Sequence, residues 1–281
     1  MRRKSRLTIT LSPDLVAQLD QMIDRRTIRS RSHAIELLLR QGLEPAVSTA
    51  VLLAGGEHET SGIPALAPIA GEALISLTIG HLVGFGIREF VVLAGRHQGQ
   101  IETLVGDGES LGARIRYLEE RRPMGTAGAV KRAQKLIGDG PFLVVNADVL
   151  TDIDIADFIR FHVAEGSLAT IAVKPRRAEW QYGKVMLQGN RITAFSDRGQ
   201  ERGVGIINSG LYLLQPQVLD LIEADKPSML ETDVFPILAK VGELSAFLFQ
   251  GIWYDVRSDE DYRVAEQRWQ QKGDFSHVAE N

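Results

Sequence analysis

A chain of 281 residues that is 44% hydrophobic and 24% charged can bury a substantial core, and none of its apolar runs is long enough to span a membrane. It has no cysteine, which excludes a disulfide framework and a thiolate metal site. The formal net charge of −4 is unevenly spread: residues 1–44 hold nine Lys/Arg against five Asp/Glu, and the rest holds 23 against 31. A small basic head on an acidic body assigns contact with a polyanion to the head. No apolar stretch follows the basic start Met1-Arg2-Arg3-Lys4, as a signal peptide would require. These features predict a cytoplasmic protein with no membrane partner.

Arg6-Leu7-Thr8-Ile9-Thr10-Leu11 alternates polar and apolar residues, which predicts a strand with one buried face. Ser12-Pro13 reads as a helix start, with Ser as N-cap and Pro in the first turn. Leu15, Leu19, Met22 and Ile23 then give that helix an apolar stripe. Arg29-Ser30-Arg31-Ser32 interrupts the pattern, and Ser32 is the expected cap of a second helix carrying Ile35, Leu38 and Leu39. One strand and two helices are too little to bury a core alone, and a lone strand has an unpaired edge. Pairing two chains through their strands removes both defects.

This segment resembles the ribbon-helix-helix repressors of the MetJ/Arc/CopG type over roughly residues 4–43, through the strand, the Ser-Pro-Asp-Leu helix start and the Arg-Ser-Arg-Ser-His-Ala-Ile turn. The resemblance implies a dimer whose ribbon enters the major groove of double-stranded operator DNA. By position Arg6, Thr8 and Thr10 would face the bases, and the amides near Ser30, Arg31 and Ser32 would hold a phosphate. Arg2, Arg3 and Lys4 would add sequence-independent attraction. The competing expectation is a dimerisation arm that binds no DNA.

Glu44-Pro45-Ala46 reads as a linker, which divides the chain into a head of residues 1–44 and a body of residues 45–281. Strands are expected at Val47–Ala54, Phe90–Ala94, Ile115–Leu118 and Phe142–Val145, with helices at Leu74–Phe85 and Thr126–Leu136 between them. That alternation predicts an α/β, Rossmann-like, doubly wound and mostly parallel sheet with ligands at the C-terminal strand ends. Beyond Ser167 the chain turns strand-rich, with a hairpin at Gln188-Gly189-Asn190. Helices are expected over Ser228–Lys240 and from about Ser258.

Six stretches of the body resemble the sugar-1-phosphate nucleotidyltransferases, in that family's order across about residues 47–270. They are Leu53-Ala54-Gly55-Gly56, Pro123-Met124-Gly125-Thr126-Ala127-Gly128, Asn146-Ala147-Asp148, Tyr182-Gly183, Asn208-Ser209-Gly210-Leu211-Tyr212 and Gly251-Ile252-Trp253-Tyr254-Asp255. Glycines after the first strand let backbone amides approach a phosphate or a base, and the Gly125–Gly128 turn opens a helix. The resemblance implies nucleotide or sugar contacts at Gly55, Gly56, Gly125, Thr126, Asn146, Gly183 and Asn208. It also implies Mg²⁺ held against phosphate oxygens by Asp148 and Asp255.

The chain departs from the family at two places. Glu57-His58-Glu59-Thr60-Ser61-Gly62-Ile63-Pro64-Ala65 stands where the family has a Gly-Thr-Arg loop and a Pro-Lys pair, so the loop Arg is absent and Ala65 takes the Lys position. Asp197-Arg198-Gly199 stands for a Glu-Lys-Pro that contacts the sugar phosphate. Transfer of a nucleotidyl group depends on cations that stabilise developing phosphate charge. Their loss predicts a catalytically degenerate body that senses a nucleotide or nucleotide-sugar, with or without Mg²⁺. The protein would then be a DNA-binding transcriptional regulator, assembled as a homodimer or tetramer. The alternative is an active sugar-1-phosphate nucleotidyltransferase with an N-terminal dimerisation or autoregulatory head. A third reading makes the body an assembly element only.

Overall fold

The computed structural model describes residues 8–24, 28–43, 46–56, 62–120, 122–178, 183–196 and 203–276. The chain separates into two compact units, Met1–Ala46 and Val47–Asn281. In the first, Ser12 caps α1 (Pro13–Gln21): its backbone is extended and its hydroxyl accepts from the amide of Leu15. The second helix is α2 (Arg31–Leu43). Its cap is Ser30 and not the expected Ser32, because the Ser30 hydroxyl accepts from the His33 amide at 3.2 Å and its carbonyl from Ala34. Thr8, Ile9 and Thr10 form no strand within the single chain, since the expected ribbon needs a second copy to pair with. Ile9, Leu15 and Leu38 are exposed at 47%, 48% and 43% in the isolated head, while Leu19 and Ala34 are buried. Arg6 lies outside the described residues.

The body opens on β1 (Thr49–Leu53), followed by the short pair β2 (Pro68–Ile69) and β3 (Glu72–Ala73), then α3 (Leu74–Gly84), β4 (Glu89–Leu93), α4 (Gln98–Val105) and β5 (Arg114–Tyr117). Next come α5 (Gly125–Arg132), α6 (Gln134–Ile137), β6 (Phe142–Asn146), β7 (Val149–Thr151) and α7 (Ile155–Glu165). The later part holds β8 (Ala169–Ala178), β9 (Lys184–Gln188), β10 (Arg191–Ser196), β11 (Gly203–Leu214), α8 (Phe235–Lys240), β12 (Leu244–Leu248), β13 (Trp253–Asp255) and α9 (Asp259–Ser276). Among the described residues a nine-stranded sheet runs β5-β4-β1-β6-β11-β8-β12-β10-β9.

The half from β5 to β6 is wholly parallel, as the alternation of strands and helices requires. Beyond it the expectation of a mostly parallel sheet is corrected to a mixed one. β11 pairs antiparallel with both β6 and β8, and β10 antiparallel with both β12 and β9. Hairpin connections bring strands back directly, whereas a parallel neighbour needs a crossover. The Gly189-Asn190 turn joins β9 to β10 as anticipated.

The middles of the central strands are continuously apolar because both faces are covered. Ala50, Leu52, Phe90, Val92, Leu143 and Val145 pack under α3, α4 and α7. Val51, Val91, Leu93, Phe142 and Val144 pack with Ala127 and Val130 of α5, Ile137 of α6 and Phe235 of α8. Two helices differ from expectation. The one expected over Thr126–Leu136 is broken at Ala133 into α5 and α6. The one expected from Ser228 begins as a π-turn at Leu230–Val234 and becomes α-helical only at Phe235, with Pro236 in its first turn. The final helix starts where expected, and the Ser258 hydroxyl accepts from the Asp261 amide.

Candidate active site

The C-terminal ends of β1, β4 and β6 converge on one edge of the parallel half. Gly55 leaves β1 against the backbone of Gly95, which follows β4. The Glu120 carboxylate lies 3.7 Å from where a side chain on Gly55 would begin, and it also accepts from the Met124 amide. Gly56 lies against Asp148, whose Oδ2 is 3.8 Å from the position a Cβ there would take. Bare glycines thus bring the backbone up to two carboxylates without a side chain between them.

Gly125 opens α5 with φ +71°, and a Cβ there would sit 2.3 Å from the Ser228 carbonyl oxygen. That carbonyl accepts from the amides of Ala127 and Gly128, and the Ser228 amide donates to the Met124 carbonyl. The turn is therefore closed from behind by the segment leading into α8. Thr126 joins it to a buried polar chain. Its hydroxyl donates to Glu231 at 2.7 Å and accepts from the Leu230 amide. The other Glu231 oxygen accepts from the Tyr212 phenol at 3.0 Å, and that phenol accepts from the Asn208 side-chain amide at 3.1 Å. Burial, with the Glu231 charge beside it, pushes the Tyr212 phenol well above its ordinary range. The Asn208 amide donates to the Gly183 carbonyl, so Thr126, Asn208 and Gly183 belong to one connected frame.

Asp148 and Asp255 are brought together by a two-stranded ribbon outside the main sheet. β7 and β13 pair antiparallel, with Asp255 opposite Val149, and the Val256 amide donates to the Asp148 carbonyl. Trp253 anchors this ribbon by donating to the Ser209 carbonyl at 2.8 Å. The Asp148 side chain is only 15% exposed, and burial pushes its carboxyl up to about 6 against the opposing pull of Arg257. Its Oδ1 is buried without a hydrogen-bond partner, as is Oδ1 of the nearby Asn146. Arg257 donates through Nε and NH2 to Asp255, at 2.9 and 2.5 Å for the shorter contacts, and its Nε lies 3.2 Å from Asp148 Oδ2. Two carboxylates with an unsatisfied buried oxygen fit a hard divalent cation that takes its remaining ligands from water and phosphate. Among the described residues no cluster of three or more His, Asp or Glu offers a metal site without such outside ligands.

The structure thus brings Gly55, Gly56, Asn146, Asp148 and Asp255 to one place, and links Gly125, Thr126, Gly183 and Asn208 through the buried frame. Asp197 and Arg198 lie outside the described residues, as do Glu57–Ser61 of the altered loop. Ala65 is buried in a 3₁₀ turn over Pro64–Leu66 and presents no charge. Of the proposed phosphate contacts in the head, Arg31 makes a two-pronged surface pair with Asp20, at 2.6 and 2.7 Å. Sequence reasoning missed Arg257, Glu231 and Glu120. An arginine two residues after a candidate metal carboxylate was the available signal for the first.

An α/β sheet with a parallel half, glycine turns at its strand ends and a carboxylate pair on an adjoining ribbon defines the class. The model of the nucleotidyl transferase family matches residues 50–272, and the chain belongs to that family. Residues 5–45 match the ribbon-helix-helix proteins of the copG family. Mannose-1-phosphate guanyltransferase beta-B of Xenopus laevis is 34% identical over 64% of this chain and 51% of its own length. The mannose-1-phosphate guanylyltransferase catalytic subunit beta of Dictyostelium discoideum is 34% identical over 69% of this chain and 55% of its own. The chain therefore spans about half the length of these relatives. The crystal structure of HddC from Yersinia pseudotuberculosis has the same fold, with a TM-score of 0.70 at 25% identity over 79% of this chain and all of that one. A UDP-glucose pyrophosphorylase complexed with UDP-glucose gives 0.68 at 17% identity, over 80% and 99%.

These relatives correct the expectation of a catalytically degenerate sensor and transcriptional regulator. Proteins a third identical to the body are named as transferases, so pseudoenzyme is the wrong description. The expectation counted cations only along the altered loop. Charge at a site is the sum over every element folded against it, and Arg257 enters from beyond β13.

Proposed function

We propose that the chain is an active sugar-1-phosphate nucleotidyltransferase whose head pairs two copies and contacts duplex DNA. The observation that carries the reading is the Asp148–Asp255 pair set beside Gly56 at the strand ends. In the reaction a sugar-phosphate oxygen attacks the α-phosphorus of a nucleoside triphosphate, and pyrophosphate leaves. A guanosine nucleotide and mannose 1-phosphate are the first substrates to try, because the relatives are named for that transfer. Gly55, Gly56, Gly125 and Thr126 would hold the nucleotide through backbone amides and the Thr hydroxyl. Gly183, Asp197, Arg198 and Asn208 would hold the sugar phosphate, and Asn146 would orient the acidic pair. A Mg²⁺ ion bound by Asp148 and Asp255 would supply positive charge to the phosphate oxygens.

For the head, the match to the copG family supports a dimer with Arg6, Thr8 and Thr10 toward DNA bases and Ser30, Arg31 and Ser32 near the backbone. The apolar Ile9, Leu15 and Leu38, exposed in one copy, are the surface a second copy would cover.

Pyrophosphate release with Mg²⁺, GTP and mannose 1-phosphate tests the catalytic reading. Turnover on the order of 1 per second is expected, with a fall of about 100-fold or more in Asp148→Asn and Asp255→Asn. No release from any common triphosphate and sugar phosphate would sink it.

A further inference from the structure

We infer that Arg257 is an exchangeable counter-cation: it holds the Asp148–Asp255 pair in the ligand-free protein, gives those oxygens up to the divalent ion, and then serves the nucleotide's phosphates. The inference rests on the transferase reading and adds a positioning residue to it.

The geometry is that of a guanidinium seated between two acids. Both of its contacting nitrogens face Asp255, and Nε also lies 3.2 Å from Asp148 Oδ2. The pair cannot lie close together, both charged and buried, without a cation, because removing ions from water is costly and like charges repel. Arg257 supplies one positive charge to two negative ones, so the cluster keeps a net charge of −1 that still attracts a divalent ion. The three groups differ in how readily they move. Both carboxylates are buried and pinned by the β7–β13 ribbon, whereas the Arg257 side chain is 49% exposed. Release of the arginine breaks side-chain contacts only, and its long, half-exposed stem has more room to swing than the two short acids on the paired ribbon.

A metal ion and a guanidinium compete for the same carboxylate lone pairs, and their like charges repel when both are held there. Asp148 Oδ1, buried and without a partner, remains for a ligand that the arginine does not satisfy. Once displaced, Arg257 stays on the turn that follows Asp255, a flexible cation beside the site where the loop offers buried Ala65. A displaceable cation on a half-exposed stem can follow charge from carboxylate to phosphate, which a buried ion pair could not do.

The test uses the full chain and its Arg257→Ala and Arg257→Gln variants, with Mn²⁺ titrated by electron paramagnetic resonance in the absence of nucleotide. Loss of the competing guanidinium should tighten Mn²⁺ by about tenfold, while Asp148→Asn should weaken it. In the same variants kcat/KM for nucleotidyl transfer should fall by about 100-fold. Opposite signs in the two measurements are what simple loss of packing would not give. Unchanged or weaker Mn²⁺ binding in both variants, or tighter binding with undiminished transfer, would overturn the inference. If the unaltered protein releases no pyrophosphate, the transferase reading falls, and the Mn²⁺ comparison alone decides for or against the exchange.

Discussion

Burial turns His162 into a pH-dependent support of the body. The ring is fully buried, its Nδ1 is 2.8 Å from the Thr170 hydroxyl, and its Nε2 is 3.1 Å from the Gln215 amide nitrogen. A neutral ring that donates from Nδ1 and accepts at Nε2 satisfies both neighbours. Desolvation of the charged form lowers its pKa to about 4. The folded value thus lies below the unfolded one, near 6.5, so the unfolded chain binds the extra proton first. Stability from this group is complete above about pH 6.5 and is lost as pH falls toward 4, by about 3 kcal/mol in all. Denaturant unfolding at pH 7 and pH 4.5 should therefore show a smaller acid loss in His162→Gln than in the unaltered chain. An equal loss would mean that the ring is not what titrates.

Between elements, the polar chain Thr126–Glu231–Tyr212–Asn208 ties α5, the π-turn and β11 together beneath the ligand face. Tyr212→Phe keeps the ring against Phe235 but leaves the Glu231 oxygen and the Asn208 amide without their shared partner. It should cost about 1–3 kcal/mol in urea unfolding. KM should rise for both the nucleotide and the sugar phosphate, because Thr126 and Asn208 lose the same support. A stability loss with both KM values unchanged would separate the frame from the site. This frame was hard to read in the sequence. The Gly55-Gly56 turn was legible because it follows the apolar run of β1 and allows close backbone approach. Glu231 falls inside the helix expected over Ser228–Lys240, which gave it no distinct place. Pro236 marked the error: mid-helix it would break a hydrogen bond, whereas in the first turn of a helix from Phe235 it does not.

Over the whole molecule, charge is unevenly divided, with a basic excess in the head and an acidic excess in the body. A head that contacts phosphates through Arg2, Arg3 and Lys4 should bind duplex DNA with an affinity that falls steeply as salt rises. Arg6→Ala, at a proposed base contact, should weaken a preferred duplex by about 1–3 kcal/mol and leave pyrophosphate release unchanged. Fluorescence anisotropy at several salt concentrations checks this, and binding insensitive to both salt and Arg6 would remove DNA from the head's role. The change of periodic pattern across Glu44-Pro45-Ala46 was legible in the sequence. The antiparallel insertions of β11 and β10 were not, since strand order depends on how distant apolar faces meet.

The placement of β13 gives the ribosome a part in arming the site. Every strand of the large sheet is encoded by the end of β12 at Leu248, but the second carboxylate comes later, at Asp255. A growing chain can therefore have every strand of the large sheet while Asp148 still lacks its acidic neighbour and its arginine. The acidic pair is completed only when Trp253 docks on Ser209 and β13 pairs with β7.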